Sequence, residues 1–402
     1  MTGRALRLLI LDTGDPRTPS GGQSAFVRNV VSGLPWRISL GVPTTGPSSE
    51  RHALVAGREV ELTKLADSGD PARRPVVPLR LRCLLGGLLK LRRPLSECDV
   101  VYVQSIELLI PALLLGQKPV VFHIHGAANP LSVSRYKWAR GRFPVAMYRW
   151  LYHTLLSRVN LVLSVDRAGA DLCALGAGMS APCAIVPVCY DADLFNPDGK
   201  AGARHRLGLK QEPWTAIFVG RLEAAKGTNL LLEAIAAADL TGCSSSLVVV
   251  GDGSQREPMR LQSAALGIDV SFAGWVPHAQ LSDYLNAADV MILPSIAEGV
   301  PTAAVEAMAC GTPVIASAVG GLPELVVERV SGVLVHGFRV EDWASAIGEA
   351  RRTHWCAERV RSCVADYALP AVCGRLDTVL RGIAETSNGR EIRSAGSQEL
   401  PR

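Results

Sequence analysis
A chain of 402 residues exceeds what one hydrophobic core usually covers, so two domains of ordinary size are expected. Its apolar content of 48% can fill two cores, but the densest apolar stretch, near Leu81 to Leu91, is short and carries Arg82 and Lys90, which excludes a spanning helix there. Residues 1–198 hold 23 Lys and Arg against 15 Asp and Glu, about +8, whereas the remainder holds 19 against 22. The basic half should therefore face something acidic, either an anionic membrane surface or a phosphorylated or acidic acceptor; no nucleic-acid-binding signature is present.

The first strand is expected at Leu6 to Leu11, where Arg4 and Arg7 before a short apolar run loosely mimic a signal peptide that Asp12 cuts off. Gly21 and Gly22 follow in a loop before a helix from Gln23 to Leu34, where glycines let backbone N–H groups approach an oxyanion. Further strands are expected at Ile38 to Val42, Val100 to Gln104, Val120 to Ile124 and Leu161 to Val165, with Ala184 to Pro187 closing the set. Helix-period segments lie between most of them, the pattern of a parallel sheet covered on both faces. Asn196, Pro197, Asp198, Gly199 and Gly202 break both periodicities and mark a boundary, giving domains at 1–198 and 199–385 and a frayed polar tail at 386–402. In the second half the strands are Thr215 to Val219, Leu247 to Val250, Val290 to Leu293, Val314 to Ala316 and Val333 to Val335. Two doubly wound domains then face each other, and ligands belong in the cleft beyond the carboxyl ends of their strands.

Ten cysteines are scattered without a C-x-x-C pair or a histidine cluster at zinc spacing, which reads as reduced, mostly buried thiols in the cytosol. Asp191 and Asp193 form a D-x-D in the boundary segment, a spacing that can hold a metal with a diphosphate or serve only the turn of a linker.

The strongest local pattern runs from Pro294 to Ser317. Glu298, Gly299, Val300, Pro301 and Thr302 lead into a helix that carries Glu306 and stops at Gly311. No Ser, Thr, Asp or Asn precedes Pro301, so the free N–H groups of that helix suit a phosphate or a sugar oxygen. Alone, the spacing also fits two solvated glutamates flanking a turn. The second pattern is Val219-Gly220-Arg221-Leu222 followed by Lys226-Gly227, two cations before a helix, which can hold a diphosphate or simply start an exposed helix. His125 ends an apolar strand before Gly126 and reads equally as a core or capping residue; His123 lies on the same side of that strand. The segment Arg135 to Trp150 interleaves arginine and lysine with Tyr, Trp and Phe, and Arg80 to Arg93 extends the basic character, which fits docking on an anionic membrane as well as an ordinary amphipathic helix.

The run Glu298-Gly-Val-Pro-Thr-Ala-Ala-Val-Glu306 resembles the glutamate-to-glutamate signature of retaining glycosyltransferase family 4, among the glycosyl transferases group 1, and Arg221 with Lys226-Gly resembles that family's diphosphate clamp. Gly21-Gly22, His125-Gly126, Val250-Gly251-Asp-Gly253, Phe272-Ala-Gly274-Trp-Val276 and Gly320-Gly321-Leu-Pro-Glu324 stand in the family's order. Where the family carries an Asn-Gly turn before the linker aspartate, this chain reads Pro187-Val188-Cys189-Tyr190-Asp191. The resemblance implies a GT-B fold and retaining transfer from a nucleotide-diphospho-sugar to a sugar or lipid-linked acceptor, without metal or other cofactor. It further implies a cytoplasmic enzyme, peripheral at the membrane if the basic segment docks there. Glu298 and His125 would serve the transferred sugar. Arg221, Lys226, Glu306, Gly22, Gly299, Val300, Pro301, Thr302, Gly253 and Val276 would hold the donor. A silent nucleotide-sugar-binding protein and a sugar-nucleotide epimerase share the architecture; a nicotinamide dehydrogenase is disfavoured because no G-x-G-x-x-G follows the first strand.

Overall fold
The computed structural model describes residues 5–18, 21–47, 49–68, 77–126, 141–175, 181–211, 214–239 and 245–386. The first half runs β1 (Arg7–Leu11), α1 (Gly22–Gly33), β2 (Arg37–Thr44), β3 (His52–Val55), β4 (Arg58–Asp67), α2 (Leu79–Lys90), α3 (Arg92–Glu97) and β5 (Val100–Val103). It continues with α4 (Ile106–Leu115), β6 (Val120–Ile124), α5 (Arg142–Leu156), β7 (Leu161–Ser164), α6 (Arg167–Leu175) and β8 (Cys183–Ile185). These strands form one sheet in the order β3-β4-β2-β1-β5-β6-β7-β8. The strict side-to-side alternation of β1 divides its residues between two cores. Leu8 and Ile10 join Phe26 of α1 and Tyr102, while Leu9 and Leu11 join Cys83 of α2, Leu109 of α4 and Leu156 of α5.

The second half runs α7 (Lys200–Arg206), β9 (Trp214–Val219), α8 (Thr228–Asp239), β10 (Ser245–Val250), α9 (Arg256–Leu266), β11 (Asp269–Gly274), α10 (His278–Ala287) and β12 (Val290–Leu293). Then come α11 (Thr302–Ala309), β13 (Val314–Ser317), α12 (Leu322–Leu325), β14 (Gly332–Val335), α13 (Val340–Arg352), α14 (Ala357–Ser362) and α15 (Leu369–Thr386). Its sheet is parallel throughout, in the order β11-β10-β9-β12-β13-β14. The last helix crosses back: Val372, Leu376 and Leu380 of α15 are buried in the core of the first sheet beside Phe26 and Trp36. Trp36 Nε1 donates to Asp377 at 2.5 Å, which fixes the register of that crossing.

The first sheet departs from the expected set. β3 and β4 are two further strands, paired antiparallel through Ala56 and Gly57, both at positive φ, the backbone that joins twisted strands in a two-residue hairpin. The first sheet is thus mixed at one edge. β11 likewise adds an edge strand that the sequence pattern had yielded only as a motif. Of the eight cysteines described, Cys183 is exposed and Cys356 and Cys363 are half-buried, while the other five are buried. The tail beyond Thr386 and the stretch 127–140, with Arg135, Lys137 and Arg140, lie outside the described residues.

Candidate active site
The carboxyl ends of both sheets meet. Gly299, after β12, approaches the end of β6 so closely that a methyl group there would stand 2.5 Å from the His125 carbonyl oxygen. Gly22, the first residue of α1, faces Thr302, with 3.1 Å from an added methyl to Thr302 Oγ1. A polar contact reinforces the junction: the Arg167 N–H at the start of α6 donates to both oxygens of Glu324 at 3.1 Å, while Asn29 Nδ2 ties α1 to the boundary segment by donating to the Cys189 carbonyl. Gly22, His125, Gly299 and Thr302, four of the residues singled out in the sequence, therefore stand at one junction.

On the second-domain side, a single turn of 3-10 helix, Ala224–Lys226, ends at Gly227, whose φ of +69° is a left-handed cap. That glycine packs on the Pro294 carbonyl, and the Ile296 N–H donates to Ala225 O at 2.9 Å, so the turn is tied to the loop after β12. Lys226 Nζ consequently donates to Glu298 Oε1 at 2.5 Å, with Glu298 only 10% exposed. Of the two cations expected at the diphosphate, Arg221 stands exposed at the end of β9, while Lys226 is held by Glu298. Gly253 lies against the Leu222 carbonyl, beneath the Arg221 loop.

α11 begins at Thr302 with Pro301 as N-cap and no side-chain cap bond, as the absence of a capping residue before Pro301 suggested. Val300 is buried before it. Thr302 Oγ1 is buried without a hydrogen-bond partner at that helix start. Glu306, one turn inside and buried, accepts a hydrogen bond from His278 Nε2 at 2.8 Å. His278 lies two residues past the half-buried Val276. Burial pulls the His278 pKa down, but the bond and charge of Glu306 outweigh it and leave it raised.

On the first-domain side His125 is bonded through Nε2 to Gln104 Oε1, and burial drives its pKa down to about 3, so the ring is neutral. A neutral imidazole whose Nε2 donates to that oxygen leaves Nδ1 as an acceptor. His123 is a satisfied core histidine: Nε2 donates to the Val186 carbonyl at 2.9 Å and Nδ1 meets Tyr102 Oη at 2.5 Å. Asp12, at the end of β1, was not singled out. Its Oδ1 accepts from the Thr13 N–H, Gln23 Nε2 and Ser105 Oγ, while Oδ2 is buried with no partner, and desolvation raises its pKa to about 6. Gln104 and His278 were missed too; the sequence signal for Asp12 and Gln104 is a polar residue directly after a buried strand. Asp191 Oδ1 accepts the Asp193 N–H at 3.0 Å, so the D-x-D forms a turn in the linker. Among the described residues no three His, Cys, Asp or Glu side chains converge as a metal-ligand set.

Residues 200–353 match the family described as Glycosyl transferases group 1. That match lies in the second domain, and the chain as a whole has a GT-B fold. The chain is 35% identical over 237 residues to the D-inositol 3-phosphate glycosyltransferase of Segniliparus rotundus, covering 56% of this chain and 52% of that one. Over 170 residues it is 43% identical to the protein of the same name from Mycobacteroides abscessus, covering 41% and 38%. The chain spans about half the length, or less, of the curated relatives it matches. The fold matches that of a sucrose-phosphate synthase from Thermosynechococcus elongatus at a TM-score of 0.81 and 22% identity, covering 95% of this chain and 100% of that one. Anabaena HepE in complex with UDP matches at a TM-score of 0.71 and 19% identity, covering 94% and 100%.

Proposed function
We propose that this chain is a retaining, metal-independent glycosyltransferase that moves a sugar from a nucleotide-diphospho-sugar to an acceptor hydroxyl. The observation that carries the reading is the Lys226–Glu298 ion pair beside the uncapped start of α11. As the sugar–phosphate bond breaks, negative charge grows on the diphosphate. Lys226, Arg221 and the free N–H groups of α11 supply fixed positive potential for it without a metal ion. A diphosphate that takes over Lys226 releases the Glu298 carboxylate to accept bonds from sugar hydroxyls. Glu306 is the acceptor for ribose hydroxyls, exchanging its bond from His278, and Thr302 Oγ1 has an unused hydrogen-bonding position at the same helix start. Neutral His125, held by Gln104, offers Nδ1 to a sugar hydroxyl. In the retaining step the bond between the anomeric carbon and the diphosphate oxygen breaks and the acceptor oxygen bonds to that carbon on the same face. The leaving phosphate oxygen takes the acceptor proton.

The relatives named for D-inositol 3-phosphate and the fold neighbour holding UDP make a uridine diphosphate donor and a phosphorylated polyol acceptor the first pair to try. The basic first domain fits an anionic acceptor, free or lipid-linked, and we place the reaction on the cytoplasmic side. The test is a panel of nucleotide-diphospho-sugars with inositol 3-phosphate, simple sugars or lipid extract, reading nucleoside diphosphate release. Acceptor-dependent release is expected. No release with any pair would leave a silent binding protein, and an isomerised donor formed without acceptor would mean an epimerase.

A further inference from the structure
Helices α2, α4 and α5 form one layer over the same face of the first sheet, each with buried residues in its core. The outer side of such a layer is normally polar. Here α2 exposes Leu81, Leu85 and Leu89 at one-turn spacing, Leu89 to 81%. α5 exposes Phe143, Met147 and Trp150 at the same spacing, with Phe143 at 77% and Trp150 at 68%, and Leu114 of α4 stands exposed as well. Half of the sixteen large apolar side chains exposed among the described residues lie on these three helices, of 12, 10 and 15 residues. A concentration of that kind marks a surface that is covered in use.

The charges around it say by what. The helices α2 to α5 carry Arg80, Arg82, Lys90, Arg92, Arg93, Arg142 and Arg149 against two acids, Glu97 and Glu107. Both acids are already paired, with Arg93 at 2.7 Å and Arg80 at 3.0 Å. A second copy of this face would bring like charges together, which disfavours self-association. Aromatic and leucine side chains ringed by exposed cations match the boundary between lipid headgroups and acyl chains.

We propose that the outer face of α2, α4 and α5 docks this protein on an anionic lipid bilayer, with Trp150, Phe143, Leu85 and Leu89 entering the headgroup boundary and the arginines meeting lipid phosphates. The docking surface lies outside the cleft and stands whatever reaction the cleft performs. The test is co-sedimentation of the full chain with phosphatidylcholine vesicles, pure or with about one-third phosphatidylglycerol. The variants are Phe143→Glu with Trp150→Glu, and Leu85→Glu with Leu89→Glu; Leu261→Glu, an exposed leucine of α9, is the control.

Binding is expected on anionic vesicles only, falling as salt rises, reduced at least tenfold in either double variant and unchanged in the control. Circular dichroism should show both variants folded, because the side chains are exposed, and turnover with a water-soluble acceptor should persist in them. Negligible binding to both vesicle types at low salt would overturn the proposal, as would variants that bind like the parent. A concentration-dependent dimer that the same substitutions dissolve, without vesicle binding, would reassign the face to self-association and overturn it equally.

Discussion

Replacing Gly299 by alanine should cripple turnover while leaving the fold intact. The added methyl would lie 2.5 Å from the His125 carbonyl oxygen and 3.4 Å from the Gly126 Cα. A carbon–oxygen contact settles at about 3.3 to 3.6 Å, so roughly 1 Å must be found. Neither neighbour is the end of a flexible side chain. Nor can the Gly299 loop retreat, since the Gly321 N–H donates to Gly299 O at 3.0 Å and Gly320 packs on the Glu298 carbonyl behind it. The separation must therefore open between the domains or displace Glu298. A misplacement of about 1 Å costs on the order of 100-fold in rate, about 2.7 kcal/mol of transition-state stabilisation. The assay is kcat for acceptor-dependent nucleotide release, with a thermal melt alongside. Gly22→Ala is the internal comparison: its methyl meets only the rotatable Thr302 hydroxyl at 3.1 Å, so its loss should stay within about tenfold. A Gly299→Ala protein with near-parental kcat and melting temperature would show that these two loops do not meet in the working enzyme.

Arg221→Ala and Lys226→Ala should each lower kcat by about two to three orders of magnitude, as for a lost preorganised charge, with a near-normal far-ultraviolet spectrum; parental turnover in either would remove that residue from the diphosphate site. Activity should persist in excess EDTA, and a loss restored by Mg²⁺ or Mn²⁺ would redirect attention to the linker aspartates. Asp12→Asn should raise stability at alkaline pH. Desolvation lifts the Asp12 pKa from 3.8 to about 6, so its favourable state is the protonated one, present below 3.8 and lost as pH rises through 6. At 1.36 kcal/mol per unit, the neutral replacement should gain on the order of 2 to 3 kcal/mol at pH 8 and nothing below pH 3.5. Equal unfolding midpoints of the two proteins in urea at pH 8 would contradict the shift.

The sequence displayed most clearly what depends on local pattern. Continuous apolar runs such as Val290 to Leu293 appear as strands because both faces of a parallel sheet are buried, and Pro301 announces the start of α11 because its fixed φ suits a helix entry. The β3–β4 hairpin escaped notice because its turn, Ala56-Gly57, lacks the usual Asn-Gly or Asp-Gly, although Val60 and Leu62 alternate with Glu59 and Glu61 as a half-buried strand should. The relations within the site were hidden for a different reason. That Lys226 would sit on Glu298, His278 on Glu306 and Gln104 on His125 depends on which strand ends become neighbours, and these partners are 72, 28 and 21 residues apart. The exposure of Leu89, Phe143 and Trp150 was equally unreadable, since an apolar stripe on a helix looks the same in sequence whether it faces a core or water.

Transfer with retention is tested most directly by following an α-linked, carbon-13-labelled nucleotide-diphospho-sugar by nuclear magnetic resonance in the presence of acceptor and EDTA. One nucleoside diphosphate is expected per glycosylated acceptor, with a new linkage whose anomeric carbon keeps the α configuration. A β-linked product, or a labelled donor that is isomerised but never transferred, would contradict it.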